Sequence, residues 1–516
     1  MNLLTDPVFR MRTPEGTSGI SLPELLALLG EDRVESLPGL QRHQEDAFHI
    51  FCCYLAGAVL TRSGESSPNQ TAEFWREGIR ALTRDDGCAD DSAWTLVVED
   101  PTKPAFMQPP APNHEAFALT YKLKATTPDA LDILQTAKNH DVKAARSAPD
   151  SAEAWCYAVI TLQTMIGYLG AGNWGIARMN SGVGSRPCVS LQQSHRPGAR
   201  MLRDIPVLLS HREKLLKEPY QYHPAGKILL WLYVWDGESS LSLSALDPFF
   251  LEFARRIRLI SRGDGYQALA ATSSVLRVAA KQQKGNLGDP WIPIDQRSNG
   301  ALTISETGFT PERTRNLIFG DGFTPAAMQE ITADTGASWF TASVLVRGNG
   351  TTDGFHEAIV RVPERARSAF FGKGIARNRL ALLSKKGLDA ASAVHYKALR
   401  PALFSLMEGG PESIALDKAE IAKWVDHASN PFVLNWNPLY FDWLWTTVDI
   451  PDDTEVLRSW FNELRRLAQD TLDRAAERAP QRHGRSYRAK TRAQGMFFGS
   501  LKKNFPQFME VTHDKP

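Results

Sequence analysis

Few stretches of this 516-residue chain concentrate residues that could do chemistry. The densest is GAGNWGIARMNSGVGSRP, residues 170–187, with five glycines, two asparagines and two arginines. Loops of that length inside a compact domain are usually functional or mobile. Its opening, Gly170-Ala171-Gly172-Asn173-Trp174-Gly175, spells the G-x-G-x-x-G of dinucleotide-binding folds. That fingerprint works where a strand enters and a helix leaves, so that the helix N-terminus meets the pyrophosphate. Here a long apolar, helix-like run precedes and a Gly/Ser/Pro segment follows, so dinucleotide binding is not expected. The glycines then serve a close approach of backbone to a partner, or left-handed backbone.

A second concentration is Val346–Gly354, VRGNGTTDG. Asn349-Gly350 is the favoured dipeptide of a two-residue hairpin turn. It reads either as a plain tight turn or as a polar amide beside Arg347, shaped to probe a groove. The third is charge. Across the chain 59 Lys and Arg meet 58 Asp and Glu, a formal net charge of +1, so there is no uniformly basic coat for nucleic acid. Yet residues 363–516 carry 24 basic and 18 acidic residues, a formal +6, which leaves −5 for residues 1–362. Between Arg365 and Arg400 nine basic residues accompany one acid, and from Arg478 to Lys503 eight accompany none. These are solvated helix faces, or stripes that track a phosphate backbone.

Catalytic patterns are missing. There is no G-x-x-x-x-G-K-[ST], no H-E-x-x-H and no G-x-S-x-G. His356-Glu357 stands alone, and His43, His49, His114 and His140 form no spaced ligand set. The five cysteines, at 52, 53, 88, 156 and 188, lack C-x-x-C spacing and read as packed thiols, not as a disulfide scaffold or a structural zinc site. No catalytic residue, metal or cofactor is expected. The opening MNLLTDPVFRMR has no long apolar core of a signal peptide, and no uncharged apolar run reaches membrane-spanning length. A cytoplasmic location without a membrane partner is expected.

Along the chain, TLVVED (95–100) reads as a strand and PTKPAFMQPPAP (101–112) as irregular and exposed. Residues 128–140 and 151–169 read as helices, the latter capped by Ser151. Residues 245–283 also read as helical, and 285–362 as β-rich with hairpins. After Pro363 apolar residues recur at three- and four-residue spacing, giving helices near 364–386, 389–408, 453–479 and 485–503, with GGPE and SNPFVLNWNP in an insert. The expected fold class is α+β: a large mixed α/β N-terminal domain, 1–362, followed by a C-terminal four-helix bundle, 363–516.

Several pieces together resemble a known family, the large subunit (CasA) of the type I-E CRISPR Cascade complex. They are NLLTDP at the start, FMQ at 106–108, DILQTAKNHD at 132–141, GNWGIARMNSGVGSRP at 172–187, DPWIPI at 289–294 and VRGNGTTDGFHE at 346–357, in family order. The resemblance implies a mixed α/β domain followed by a four-helix bundle. It implies a non-catalytic subunit of an RNA-guided surveillance complex that recognises the protospacer-adjacent motif (PAM) in double-stranded DNA. Such a subunit starts strand separation for R-loop formation and helps recruit a helicase-nuclease in antiviral defence. Protein reads the PAM and base pairing reads the rest.

Residue by residue, the resemblance places Asn173, Trp174, Gly175, Ile176 and Ala177 at the family's glycine loop, with Arg178 and Arg186 near enough in sequence to meet phosphates. It places a polar wedge at Asn349, where the family often has Gln, one methylene longer, with Arg347 beside it. Arg297, in the loop Asp295-Gln296-Arg297-Ser298, matches a basic PAM-reading finger. Lys138, Asn139 and His140 match a loop that docks near the guide-RNA handle and a neighbouring subunit. A basic bundle face of Arg478, Arg482, Arg485, Arg488 and Arg492 completes the set. The partners implied are target DNA, CRISPR guide RNA, the other Cascade subunits and the helicase-nuclease. Some relatives carry a cysteine zinc site, which this chain does not show. Two other readings stay open: a metal-dependent nuclease embedded in a Cascade-like protein, which needs a His/Asp/Asn constellation not visible here, and an α-rich scaffold that binds no nucleic acid.

Overall fold

The computed structural model describes residues 1–132, 151–180, 185–217, 219–263, 265–330, 338–348, 351–372, 374–412, 414–479 and 483–509. They divide into two units: 1–309 with 316–361, and Thr310–Arg315 with the chain from Val362 onward. Residues 310–315 thus leave the first domain, in which the sequence boundary at 362 places them.

The first unit is built around two helices that are apolar nearly all round, as helices without a solvent face are. These are Glu45–Ser63 and Ala152–Met165, and every residue of the second is buried. Ser151 caps it as expected, accepting from Ala154 N at 3.2 Å. The two helices meet through Phe48 and Tyr157, edge to face at 4.9 Å, and the first also packs on Ala72–Asp85 and Pro197–Leu215.

Two small sheets position the segments of interest. The hairpin strands Ser338–Gly348 and Thr351–Val362 are joined by Cys188–Gln192, which runs antiparallel to the first with Trp339 opposite Gln192 and Ser343 opposite Cys188. The exit of the glycine-rich stretch is thereby tied to the hairpin. The second sheet orders Lys122–Ala125, Gly265–Ala271 and Arg256–Arg262, with Lys122–Ala125 at an edge.

The helical expectation for 245–283 is corrected: Arg256–Arg262 and Gly265–Ala271 are strands of this second sheet, and Leu246–Leu251 is a strand paired with Lys227–Leu229. The period-two signal is blurred because Arg256, Ile257, Arg258 and Leu259 are all buried. Arg258 can be inside because its guanidinium donates to the carbonyls of Val98, Asp100 and Lys103 at 2.8–2.9 Å. Residues 95–100 form no strand beyond a single Asn2–Thr95 bridge. The segment after them is irregular but largely buried, not exposed. Gln108 makes that possible: its amide donates to Leu96 O and Phe106 O and accepts from Leu259 N. Of the helix expected over 128–140, Pro128–Leu131 is helical and 133–140 lie outside the described residues. No helix among the described residues is long and apolar enough to cross a membrane.

The second unit is helical among its described residues. Its long elements are Ile375–Ala393 continuing through a π-turn, Val394–Leu399, into Arg400–Met407; then Ala419–Trp436, Asp453–Arg478 and His483–Asn504. Two expectations change. The helix near 364–386 breaks at Gly372, and the run after it passes without interruption across 386–389. The supposed insert holds the Ala419–Trp436 helix, which contains Pro431. An interior proline costs about 3 kcal/mol of helix propensity. Burial of Val425, Ser429 and Phe432 on one face opposes that cost.

An aromatic stack closes the unit. Trp443 and Trp460 stack at 4.8 Å, Trp460 Nε1 donates to Gly387 O at 3.0 Å, and Tyr440 Oη donates to Ser384 O at 2.8 Å. Gly387 is required by this approach, since a Cβ there would lie 2.3 Å from Cζ3 of Trp443. Gly387→Ala gains about 1 kcal/mol of helix propensity, but overpacking against a fixed ring costs about 1–3 kcal/mol. Net destabilisation is expected, read as a lower urea midpoint at unchanged slope.

Candidate nucleic-acid interface

The glycine-rich stretch leaves the Ala152–Met165 helix and folds back on itself. Asn173 N donates to Gly170 O at 2.9 Å, Leu169 N to Asn173 O at 2.8 Å, and Ser273 N to Gly172 O at 2.9 Å. Gly172 has φ +76°, and a Cβ there would meet Thr272 at 2.6 Å. Gly175 is needed for close approach: a Cβ would lie 2.9 Å from the backbone of Gly167 and Tyr168. Trp174 is fixed by its Nε1 bond to Ser273 O at 2.9 Å and by Tyr168, 5.6 Å away ring to ring. Ala171 is exposed at the turn, and Asn173, Trp174 and Gly175 are half-buried. Together with Ile176, Ala177 and Tyr168, Trp174 and Gly175 line an apolar cavity of about 280 Å³, whose edge carries Lys281.

Arg178 and Arg186 do not reach the surface. Each is 1 % exposed, which corrects the expectation that they meet phosphates. Arg178 Nη1 lies 3.4 Å from Glu252 and its Nε 3.8 Å from Asp289, with the guanidinium 3.6 Å over the Phe250 ring. Arg186 pairs with Asp289. The Glu252 carboxylate also accepts from Ala177 N at 2.9 Å and Arg178 N at 3.3 Å. Two positive and two negative groups thus compensate one another in the core, the condition under which charges tolerate burial. Their task is to hold the loop. The sequence showed the arginines but not the distant acids that draw them inward.

Of the other expected residues, Arg297 is exposed in the turn between Ile294–Asp295 and Gly300–Ala301, and Gly300 abuts Asn180, at the end of the glycine loop. Arg347 is half-buried on the hairpin strand, with Nε and Nη1 unpartnered. Asn349, Arg482, Lys138, Asn139 and His140 lie outside the described residues. In the second unit Arg478, Arg485, Arg488 and Arg492 are exposed, the last three on one face of the His483–Asn504 helix, while Ala489, Ala493, Phe497 and Leu501 are buried on another. Lys281 was missed by sequence reasoning, because only folding brings it to the cavity of Trp174 and Gly175.

One group of potential metal ligands occurs among the described residues: His49, Cys53 and Asp204. His49 and Cys53 sit one helical turn apart on the Glu45–Ser63 helix. The group is closed on itself. His49 Nε2 is bonded to Asp204 Oδ2 at 2.7 Å, and the other carboxylate oxygen takes Arg203 at 2.6 Å. Burial and the nearby Arg200 hold His49 below its usual pKa. A cavity of about 460 Å³ beside it is lined by Arg42, Asp46, His49, Gln192 and Arg200 among others. Arg200 is already paired with Asp46 at 2.6 Å, so this cavity offers no uncompensated charge to a phosphate.

No family model and no curated protein sequence matches this chain. Solved structures do. Cse1, a CRISPR-associated protein of Acidimicrobium ferrooxidans, superposes with a TM-score of 0.61 at 14 % identity over 99 % of both chains. CasA of Thermus thermophilus gives 0.61 at 12 % identity over 98 % of this chain and 99 % of that one. Cse1 of Thermobifida fusca gives 0.60 at 14 % identity over 99 % of both. The chain shares their mixed α/β fold over 98–99 % of its length, and these are proteins of the family that the motif set resembles.

Glu252→Gln keeps the size of the side chain but removes one of the two negative charges that compensate buried Arg178 and Arg186. A loss of about 3–5 kcal/mol is expected. Urea unfolding measures it, and hydrogen exchange should show lost protection at Ala177 and Arg178, whose amides the carboxylate holds.

Proposed function

We propose that this chain is the non-catalytic large subunit of a type I-E CRISPR Cascade complex, a cytoplasmic RNA-guided assembly. In this reading it recognises the PAM in duplex target DNA, starts strand separation and helps recruit the helicase-nuclease. The observation that carries it is the fold shared with Cse1 and CasA structures over 98–99 % of the chain. The glycine loop supports it further, because small residues let backbone and the Trp174 edge approach a narrow minor groove, where recognition rests on groove width and few base-edge atoms.

In this proposal Asn173, Trp174 and Gly175 face the groove. Ile176 and Ala177 shape the cavity behind them, and Arg178 positions the loop from within. Lys281 and Arg297 are the two cations available to read or grip the PAM, and Lys281 is favoured because it edges the loop's own cavity. Asn349 is the wedge, with Arg347 behind it. Lys138, Asn139 and His140 dock against the guide-RNA handle and a neighbouring subunit. The C-terminal helices form the four-helix bundle, whose basic face of Arg478, Arg482, Arg485, Arg488 and Arg492 tracks nucleic acid.

Opening the first base step costs a few kcal/mol of stacking and pairing. A polar wedge offsets part of it by meeting the exposed base edges. With the reconstituted guide-RNA complex and a fluorescent base beside the PAM, Asn349→Ala should slow opening of a paired duplex and leave a pre-melted duplex unaffected. Equal slowing on both would remove the wedge from the account. In the same assembly, added divalent metal should produce no cleavage by this subunit; cleavage that survives repurification and is lost on mutating its own His or Asp residues would establish the nuclease reading instead.

A further inference from the structure

Lys281 edges the Trp174 cavity, and the residues that follow it line another, of about 440 Å³. Its walls come from 219–221, 282–286 and 298–299, with Leu243. Side-chain hydrogen bonds tie these segments together. Tyr220 Oη donates to Asn286 Oδ1 at 3.4 Å, Asn286 Nδ2 to Asn299 Oδ1 at 3.1 Å, and Lys284 Nζ to Ser298 O at 3.3 Å. The walls also abut the end of the glycine loop. A Cβ on Gly285 would lie 2.4 Å from Met179 and 2.6 Å from Asn180, and one on Gly300 would lie 2.8 Å from Asn180 Nδ2.

The lining divides into three kinds of surface. Pro219, Tyr220 and Leu243 give an apolar side, where the half-buried Tyr220 ring lies near parallel to buried Tyr222, 6.3 Å away. Carboxamides dominate a second side, among them the exposed Gln221, Gln283 and Asn299, and each can both donate and accept. The one cation, Lys284, is exposed, and no carboxylate stands among the lining residues. Its ammonium has three donors, of which the Ser298 carbonyl takes one.

The backbone is unusual at the same place. Five non-glycine residues among those described have left-handed φ, and three of them line this cavity: Gln221 at 57°, Lys284 at 50° and Asn299 at 50°. Asparagine enters that region readily, glutamine and lysine much less so. Such conformations persist where their surroundings fix them, and they gather at ligand sites.

An aromatic surface, a wall of donors and acceptors and a single cation match the face of a nucleobase, its hydrogen-bonding edge and its phosphate. The volume suits one small ligand and not a duplex. A base in a duplex has both faces stacked and its edge paired, so only an unpaired nucleotide can offer all three parts.

We propose that this cavity holds one unpaired nucleotide of a DNA strand opened beside the glycine loop, its base against Tyr220, its edge on the carboxamides and its phosphate on Lys284. The inference rests on the strand-separation reading above, which supplies the unpaired strand, and adds to it a place where that strand is held.

The test titrates the full chain with a short single-stranded oligodeoxynucleotide carrying one 2-aminopurine, whose emission falls when the base stacks. The wild type should quench it saturably, and the fully paired duplex of the same sequence should show no such quenching. Tyr220→Leu should weaken binding roughly five- to 150-fold, the range for loss of one base–aromatic stack. Lys284→Asn keeps a residue at ease with left-handed φ and should lower the slope of log K against log salt by about 0.7, one phosphate of a single strand. Gln283→Ala should weaken binding at unchanged slope. Positions 283 and 284 are exposed, so these two variants should keep the wild-type melting temperature, which is measured alongside. Wild-type affinity, quenching and slope in all three variants would overturn the cavity and spare the wider reading, provided the assembled complex still opens a PAM duplex. Binding of the free 2-aminopurine nucleotide but not of the strand would overturn the assignment to a strand. Tighter binding of the RNA strand of the same sequence would overturn the assignment to DNA. An assembled complex that opens no PAM duplex would overturn the wider reading, and the proposal with it.

Discussion

The buried ion network of Arg178, Arg186, Glu252 and Asp289 is the constraint on which the candidate interface depends. It joins the glycine-rich stretch, the end of the Leu246–Leu251 strand and the turn before Trp291, segments with no local reason to meet. Glu252 does two things at once: it neutralises a guanidinium and fixes the amides of Ala177 and Arg178. A loop of glycines has high conformational entropy to lose. Anchoring it at one end by charge and at the other by the Ala152–Met165 helix lets a short turn, Gly170–Gly175, exposed at Ala171, keep one shape. Such preorganisation is what a rigid probe of a narrow groove requires.

Arginine plays contrasting parts within one unit. Where a carboxylate lies close, as for Arg178 or Arg212, the side chain is structural and unavailable to a partner. Arg258 and Arg277 rest against backbone carbonyls instead. A near-neutral chain can still expose positive charge locally. In the second unit the same economy appears as a helix face: Arg485, Arg488 and Arg492 project outward while the opposite side packs Phe497 and Leu501.

Legibility from sequence followed how local each signal was. The Ser151 cap, the apolar helix after it, the hairpin strands around 349 and the loop character of 170–180 are set by neighbouring residues, and they were readable. The strands between 246 and 271 were misread because Leu246–Leu251 is buried throughout and Arg256–Leu259 is buried at four successive positions, which hides the alternation. Arg178 was misplaced because its partners, Glu252 and Asp289, are far along the chain. Lys281 was overlooked for the same reason: only folding brings it to the cavity of Trp174 and Gly175. The ordered set of short motifs carried the fold-level resemblance, although overall identity to the matching structures is only 12–14 %.

The central claim is that the exposed turn of the glycine loop faces the PAM duplex. Ala171 is exposed there. A photo-crosslinking amino acid at position 171, in the subunit assembled with its guide-RNA complex and a PAM-bearing duplex, tests this directly. The account predicts crosslinks to nucleotides of the PAM and its immediate flank, lost when a minor-groove ligand occupies that site. Crosslinks distributed along the duplex without regard to the PAM, or confined to protein, would contradict it.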